Sequence, residues 1–474
     1  MSQFMNSMKT DDTLTENGAV THSTSGKLVV DLFATIGAMR GKDAQAVTLF
    51  NKAAGEDTEL AIRAALWARD VREGAGERST FRAIFKQIIE DDLELGLRVM
   101  AKIPELGRYD DLLVAFGTPL QEQAIDMWLN AIFVEKNQLA AKWCPRERSA
   151  NGYAFKAMRK RGDVSNKVFR KAIAALSDTV EQKMCAKLWS EIDFGKLPSV
   201  ASARYQKSFG RNAPTEYGNY INALSKGEAK INAGAIYPYT IVQSVRAGNA
   251  TVADAQWKAL PNYMEGCQEL IMPVVDVSGS MGTGIGGANA NSVSCKDVAK
   301  SLGLYIAERN EGEFKNEYIS FSTDPHFHTV SGKTLKNRLD GIERSGEDMG
   351  TDLLKVFEVL LCRAKRTGLA DEHMPDKVLI MSDMQFNQSF GWRNRNVNSL
   401  DAMKRAYENA GYTMPHVVYW NIAARPDQSP AKANDKGVSL VSGCSPTILR
   451  NILGDTVTPY ELMMETLSND RYNF

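Results

Sequence analysis

The stretch Leu270-Ile-Met-Pro-Val-Val-Asp276-Val-Ser278-Gly-Ser280-Met281 most constrains what this chain can fold into. It begins as an apolar run bounded by polar residues, which predicts a strand buried on both faces of a parallel sheet. It closes on three oxygen side chains at alternating positions, Asp276, Ser278 and Ser280. A chain leaving a strand through Ser-Gly-Ser turns sharply and can gather those oxygens in one small volume. A carboxylate and two hydroxyls suit a hard cation of the Mg2+ type, which keeps some water and takes few charged ligands. The blander alternative is that these residues only cap the next helix.

Beyond about residue 265, strands and helices alternate. Expected strands cover 269–276, 317–322, 377–383, 416–422 and 438–441. Expected helices cover 296–309, 335–342, 353–365, 400–410, 447–452 and 460–467. This order predicts a doubly wound, mainly parallel sheet over 265–474, with ligands outside the carboxyl ends of its strands. Asp276 and Asp383 both fall at such ends. Residues 27–264 read as helices separated by short Gly/Pro punctuation, with apolar residues at i, i+3 and i+4. Sequential helix pairs predict a HEAT-like α-helical repeat domain, although no fixed-period repeat is visible. Residues 1–26, rich in Ser, Thr, Asn, Asp and Gly, read as a flexible N-terminal arm.

Composition bounds the function. Formal net charge is zero, so affinity for nucleic acid must come from local patches. The six cysteines are scattered without a C-x-x-C pair, which argues against a disulfide framework or a zinc site. No apolar run approaches the ~18 residues of a membrane span and the first residues carry no signal core, so a cytoplasmic setting is expected. Gly282, Gly284 and Gly287 satisfy G-x-G-x-x-G, but the long Gly/Asn-rich tail through 291 fits an insertion beside the cation site better than a dinucleotide loop.

Charge is lopsided between residues 136 and 211, with seventeen Lys or Arg against six Asp or Glu. The candidate RNA-binding residues are Lys142, Arg146, Arg148, Lys156, Arg159, Lys160, Arg161, Lys167, Arg170, Lys171, Lys196, Arg204, Lys207 and Arg211. Lys156, Arg159 and Lys160 recur at helical three- and four-residue spacings, as do Lys167, Arg170 and Lys171, so each group can share a face. Such a zone neutralises phosphates. Interleaved aromatics, Tyr153, Phe155, Phe169, Tyr205 and Phe209, either stack on unpaired bases or belong to the core, and the core reading is the stronger for each taken singly.

The D-x-S-x-S element resembles the first segment of a metal-ion-dependent adhesion site in a von Willebrand factor A (vWA) domain. That resemblance implies that Thr351, in Met349-Gly-Thr351-Asp-Leu ahead of a helix, and Asp383, closing Lys377-Val-Leu-Ile-Met-Ser-Asp383, complete a site for Mg2+ or Mn2+. One coordination position would stay open for an Asp or Glu of a protein partner.

A helical half followed by a vWA-type half resembles the TROVE-domain proteins, the Ro 60 kDa autoantigen class, and more closely the DUF2828 group. The likeness rests on Ala68-Arg-Asp-Val-Arg-Glu-Gly-Ala-Gly-Glu-Arg78, Gly107-Arg-Tyr-Asp-Asp-Leu112, Leu197-Pro-Ser-Val-Ala-Ser-Ala-Arg-Tyr205, Ala235-Ile-Tyr-Pro-Tyr-Thr-Ile-Val242 and Ser382-Asp-Met-Gln-Phe386, across about residues 28–465. It implies a non-catalytic RNA-binding scaffold, a ribonucleoprotein component that takes small structured RNAs or single-stranded RNA ends. The alternative is an assembly module that captures an acidic partner residue through the metal. An enzyme is not expected: Ser278 lacks a neighbouring base, and His326 and His328, alternating on one strand face, lack a third ligand.

Overall fold

The computed structural model describes residues 12–285, 293–321, 324–343, 351–387, 399–425 and 427–474. Residues 1–11 of the arm, Gly287 of the glycine pattern, and Met349 and Gly350 ahead of Thr351 lie outside them. Within the segment read as flexible, β1 (Asp12–Leu14) and β2 (Val20–His22) form an antiparallel hairpin. It docks on the far end of the chain: Thr15 Oγ1 donates to Phe386 O at 2.6 Å, and Thr21 Oγ1 to Ser429 O at 2.7 Å.

Helices dominate from Leu28–Ile36 to Ala250–Lys258. Their starts follow local chemistry. Asp57 accepts from Leu60 N ahead of Thr58–Arg69, and Asp92 accepts from Glu94 N and Leu95 N ahead of Leu93–Leu106. The charged motifs of this half pair with one another. Arg69 meets Asp111 at 2.7 Å with both side chains buried, Arg82 meets Asp111 at 2.6 Å, and Arg108 holds Asp110. Gly107 caps its helix where a Cβ would stand 2.6 Å from Asp111 Oδ2. No helix among the described residues is long and apolar enough to cross a membrane.

The second half is a six-stranded mixed sheet. Its strands are β3 (Ile271–Asp276), β4 (Glu317–Phe321), β5 (His326–Thr329), β6 (Lys377–Ser382), β7 (His416–Asn421) and β8 (Val438–Ser442), in the spatial order β5-β4-β3-β6-β7-β8. All neighbours are parallel except β4 and β5. Every residue of β3, β6 and β8 is buried, so both faces of the sheet are covered, which is why these strands read as continuous apolar runs. The helix Cys295–Arg309, started by a Ser294–Asp297 capping box, packs on β3, β4 and β6. The edge strand β5 carries the two histidines: His328 Nε2 lies 2.7 Å from Ser320 Oγ and its ring stacks on Tyr318, while His326 is exposed.

The two halves share one hydrophobic core, which runs from Val29 to Tyr472. Helix Leu28–Ile36 lies against β8, where Gly37 N donates to Ser442 Oγ at 3.0 Å. A small separate core gathers Val180, Ile192, Phe194, Leu197, Ala201, Phe209 and Ala213.

Candidate functional site

Strand order reverses between β3 and β6: β4 and β5 lie on one side, β7 and β8 on the other. Crevices at such reversals, at the carboxyl ends of the strands, are where open parallel sheets bind ligands. Asp276 ends β3 and Asp383 follows β6, so the topology sets two buried carboxylates side by side. The chain turns tightly after Asp276, whose Oδ1 accepts Ser278 N at 2.9 Å. Ser278 Oγ then lies 3.1 Å from Ser280 Oγ. Ser280 in turn hydrogen-bonds Asp383, so Asp276, Ser278, Ser280 and Asp383 form one cluster.

Ser382, which sequence reasoning passed over as an ordinary strand residue, donates to Asp276 Oδ2 at 2.5 Å and accepts Met384 N at 3.1 Å. Met384 has φ 62°, a left-handed conformation costly for a non-glycine residue, and that bond helps to hold it. Gln385 was also missed. Its side chain accepts Glu16 N at 2.8 Å and its carbonyl accepts Asn17 Nδ2 at 2.7 Å, tying the Asp383 loop to the N-terminal hairpin. Both residues stand in the Ser382-Asp-Met-Gln-Phe386 motif, but their roles were not legible there, because the partners are remote along the chain.

Thr351 is brought to this loop but not into the cluster. Its hydroxyl donates to Gln385 O at 2.7 Å and lies 3.2 Å from Asn387 Oδ1.

Burial, and then the charge of Asp383, push the Asp276 carboxyl up to about 6, against hydrogen bonds from Ser382 and Ser278. Burial raises Asp383 as well, opposed by Gln385 N–H, the Ser280 hydroxyl and the Lys42 ammonium. Two buried carboxylates that repel each other, flanked by two hydroxyls, fit a small hard dication, which would reverse both shifts. Among the described residues no group of three or more His, Cys, Asp or Glu is gathered to hold a metal ion, so the two carboxylates here would rely on the serine hydroxyls to complete a shell.

Beside Asp383 opens a cleft of about 420 Å³ between the two halves. The helical half lines it with Ala38, Arg40, Lys42 and Gln45, the sheet half with Thr283 to Ile285, Cys295, Ile422, Ala423 and Arg425. Burial pushes the Cys295 thiol up to about 11, so it is neutral near pH 7. The ends of the glycine-rich insertion are pinned at this wall, with Ile285 N on Val293 O at 2.7 Å and Cys295 N on Thr283 O at 2.9 Å.

The basic zone divides. Helices Gly152–Arg161 and Asn166–Leu176 face each other through Phe155 and Phe169, whose rings are 5.1 Å apart and buried. Their outer faces expose Lys156, Lys160, Lys167, Arg170 and Lys171, none of which forms an ion pair among the described residues; Arg146 and Arg148 are exposed nearby. Arg161 is instead held by Glu122 and Asp126, and Lys196 by Asp193. Lys142 and Arg159 are half-buried, Lys142 beside the Trp143 ring. Arg204, Lys207 and Arg211 are exposed on Ser199–Asn212, over the smaller core. Of the interleaved aromatics, Phe155, Phe169 and Phe209 are core residues, Tyr205 is half-buried, and Tyr153 is 55% exposed.

Fold and site together define a helical protein closed by a mostly parallel sheet, with a carboxylate–hydroxyl cluster at the strand-order reversal and an exposed basic face. Residues 151–270 match a domain of unknown function, DUF2828, and residues 271–471 match another, DUF7788. The DUF2828 match thus covers the basic helices, while Ser382–Phe386 falls in the DUF7788 match. The chain is 26% identical over 513 residues to "Uncharacterized protein L728" of Acanthamoeba polyphaga mimivirus, spanning 96% of this chain and 86% of that protein.

Proposed function

We propose that this chain is a non-catalytic, cytoplasmic RNA-binding scaffold of the TROVE kind, with HEAT-like helices ahead of a vWA-type sheet. The observation that carries this reading is the outer face of Gly152–Arg161 and Asn166–Leu176. Five cations stand there without ion-pair partners among the described residues, over a buried Phe155–Phe169 ring pair. Phosphates are the partners such a face lacks, and the binding it supports is salt-dependent. The exposed Tyr153 offers one ring on which an unpaired base can stack. Titrating the full chain with a mixed pool of small RNAs at two salt concentrations, with Mg2+ and with EDTA, tests this. Binding that weakens with salt and survives EDTA is expected; no binding at low salt would sink the reading.

The cluster of Asp276, Ser278, Ser280 and Asp383 favours a second, compatible role, the holding of Mg2+ or Mn2+. When bound, the ion would supply an electrophilic centre with an open position. Asp276 and Asp383 would neutralise it, and Ser278 and Ser280 would complete its oxygen shell. In the partner-capture reading, an Asp or Glu of another protein takes the open position.

A further inference from the structure

Arg40, Lys42 and Arg425 come from two distant parts of the chain and line the same cleft as Asp383. Building on the metal reading above, we propose that this cleft binds a small phosphate monoester whose phosphate takes the open position on the metal and lies against Lys42 and Arg425. The cations differ in what they can offer. Arg40 is committed to the buried Glu77 through two bonds of 3.0 and 2.7 Å and serves as a wall. Lys42 uses one of its three donors on Ala424 O at 2.6 Å, leaving two. Arg425 pairs through Nη1 with Glu16 of the hairpin and, among the described residues, has no partner for its other N–H groups.

A dianion suits a divalent metal flanked by an ammonium and a guanidinium better than a single carboxylate does. The cleft's 420 Å³ lies within the range of small-molecule sites, roughly 300–1,000 Å³, and exceeds what a lone phosphate needs. Ile422 and Ala423 give the remaining space an apolar wall for an organic group. Size and burial favour a small molecule over a protein partner, because Asp276, Ser278 and Asp383 are each at most 2% exposed and a partner's side chain would have to thread between the halves.

The test uses the full chain loaded with Mn2+ and titrated calorimetrically with inorganic phosphate and with adenosine 5′-monophosphate. Both should bind, the monoester more tightly. Lys42→Gln and Arg425→Ala should each weaken both by about tenfold, roughly the loss of one charge-assisted contact. Mn2+ affinity in the absence of phosphate should not fall in either variant, since each removes a cation from beside the metal, and stripping the metal should weaken phosphate binding at least as much as either variant. Phosphate binding indifferent to Mn2+, or unchanged in the Lys42→Gln/Arg425→Ala double variant, would overturn the proposal. Phosphate without the monoester would overturn the ligand class. A chain that takes Mn2+ but no phosphate refutes this inference and leaves the metal reading standing; a chain that takes no Mn2+ refutes both.

Discussion

Asp276 stands where an ionised carboxylate is costly, fully buried at the end of a central strand with Asp383 beside it. Its folded value, about 6 against an ordinary 3.8, is raised. The sign follows: without metal, its contribution to stability is complete below about pH 4 and is lost as pH rises through about 6. The loss is on the order of 3 kcal/mol for a shift of this size. Asp276→Asn should therefore flatten the pH dependence of the metal-free melting temperature and make the metal-free chain more stable than wild type at pH 7. Mg2+ should raise the wild-type melting temperature at pH 7.5, do so far less at pH 5 where protons compete, and have no effect on the variant. Melting profiles that coincide for the two proteins, with and without Mg2+, would remove Asp276 from the site.

At the scale of elements, helix Cys295–Arg309 sets where β3 ends. Gly303 lets that helix approach: a Cβ there would stand 2.3 Å from Val275 Cγ2, one residue before Asp276. Gly303→Ala should cost roughly 1–3 kcal/mol through overpacking. It should also weaken Mn2+ binding by displacing Asp276, and Val275→Ala should restore part of both. A Gly303→Ala protein that melts and binds Mn2+ like wild type would show that the helix does not position the strand. Sequence periodicity made much of this architecture readable. β3 and β6 are apolar throughout because they are buried on both faces, and D-x-S-x-S marks the turn that β3 feeds. The β1–β2 hairpin was unreadable because its stabilising bonds reach Gln385, Phe386 and Ser429, up to 408 residues away. Ser382 looked like one more strand residue, and nothing near Lys42 in the chain announces the cleft it lines. Within Gly107-Arg-Tyr-Asp-Asp the Arg108–Asp110 pair and the Gly107 cap are local in the chain, whereas the reach of Asp111 to Arg69 and Arg82 spans tens of residues and leaves no local pattern.

At the scale of the whole molecule, the division at residue 265 separates patterns of secondary structure more than it separates cores. Helix Leu28–Ile36 belongs to the helical half by sequence and to β8 by packing, and a Cβ on Gly37 would meet Ser442 O at 2.3 Å. Near the other end of the chain, Arg471 and Tyr472 bond the buried Asp70. Calorimetry should accordingly show one major unfolding transition that takes both halves together, with at most a minor one from the small core around Phe194 and Phe209. Two well-separated transitions of similar enthalpy would contradict a shared core.

The most direct test of the RNA-binding account compares wild type with a Lys156→Glu/Lys160→Glu/Lys167→Glu/Arg170→Glu variant, titrated with the same pool of small RNAs across a range of salt. All four residues are exposed and unpaired within the described structure, so the fold should hold. Affinity should fall by about 100-fold at low salt, and the slope of log affinity against log salt should become shallower by about three, the loss of four phosphate contacts at roughly 0.7 each. A variant that keeps both the wild-type affinity and the wild-type slope would contradict the account.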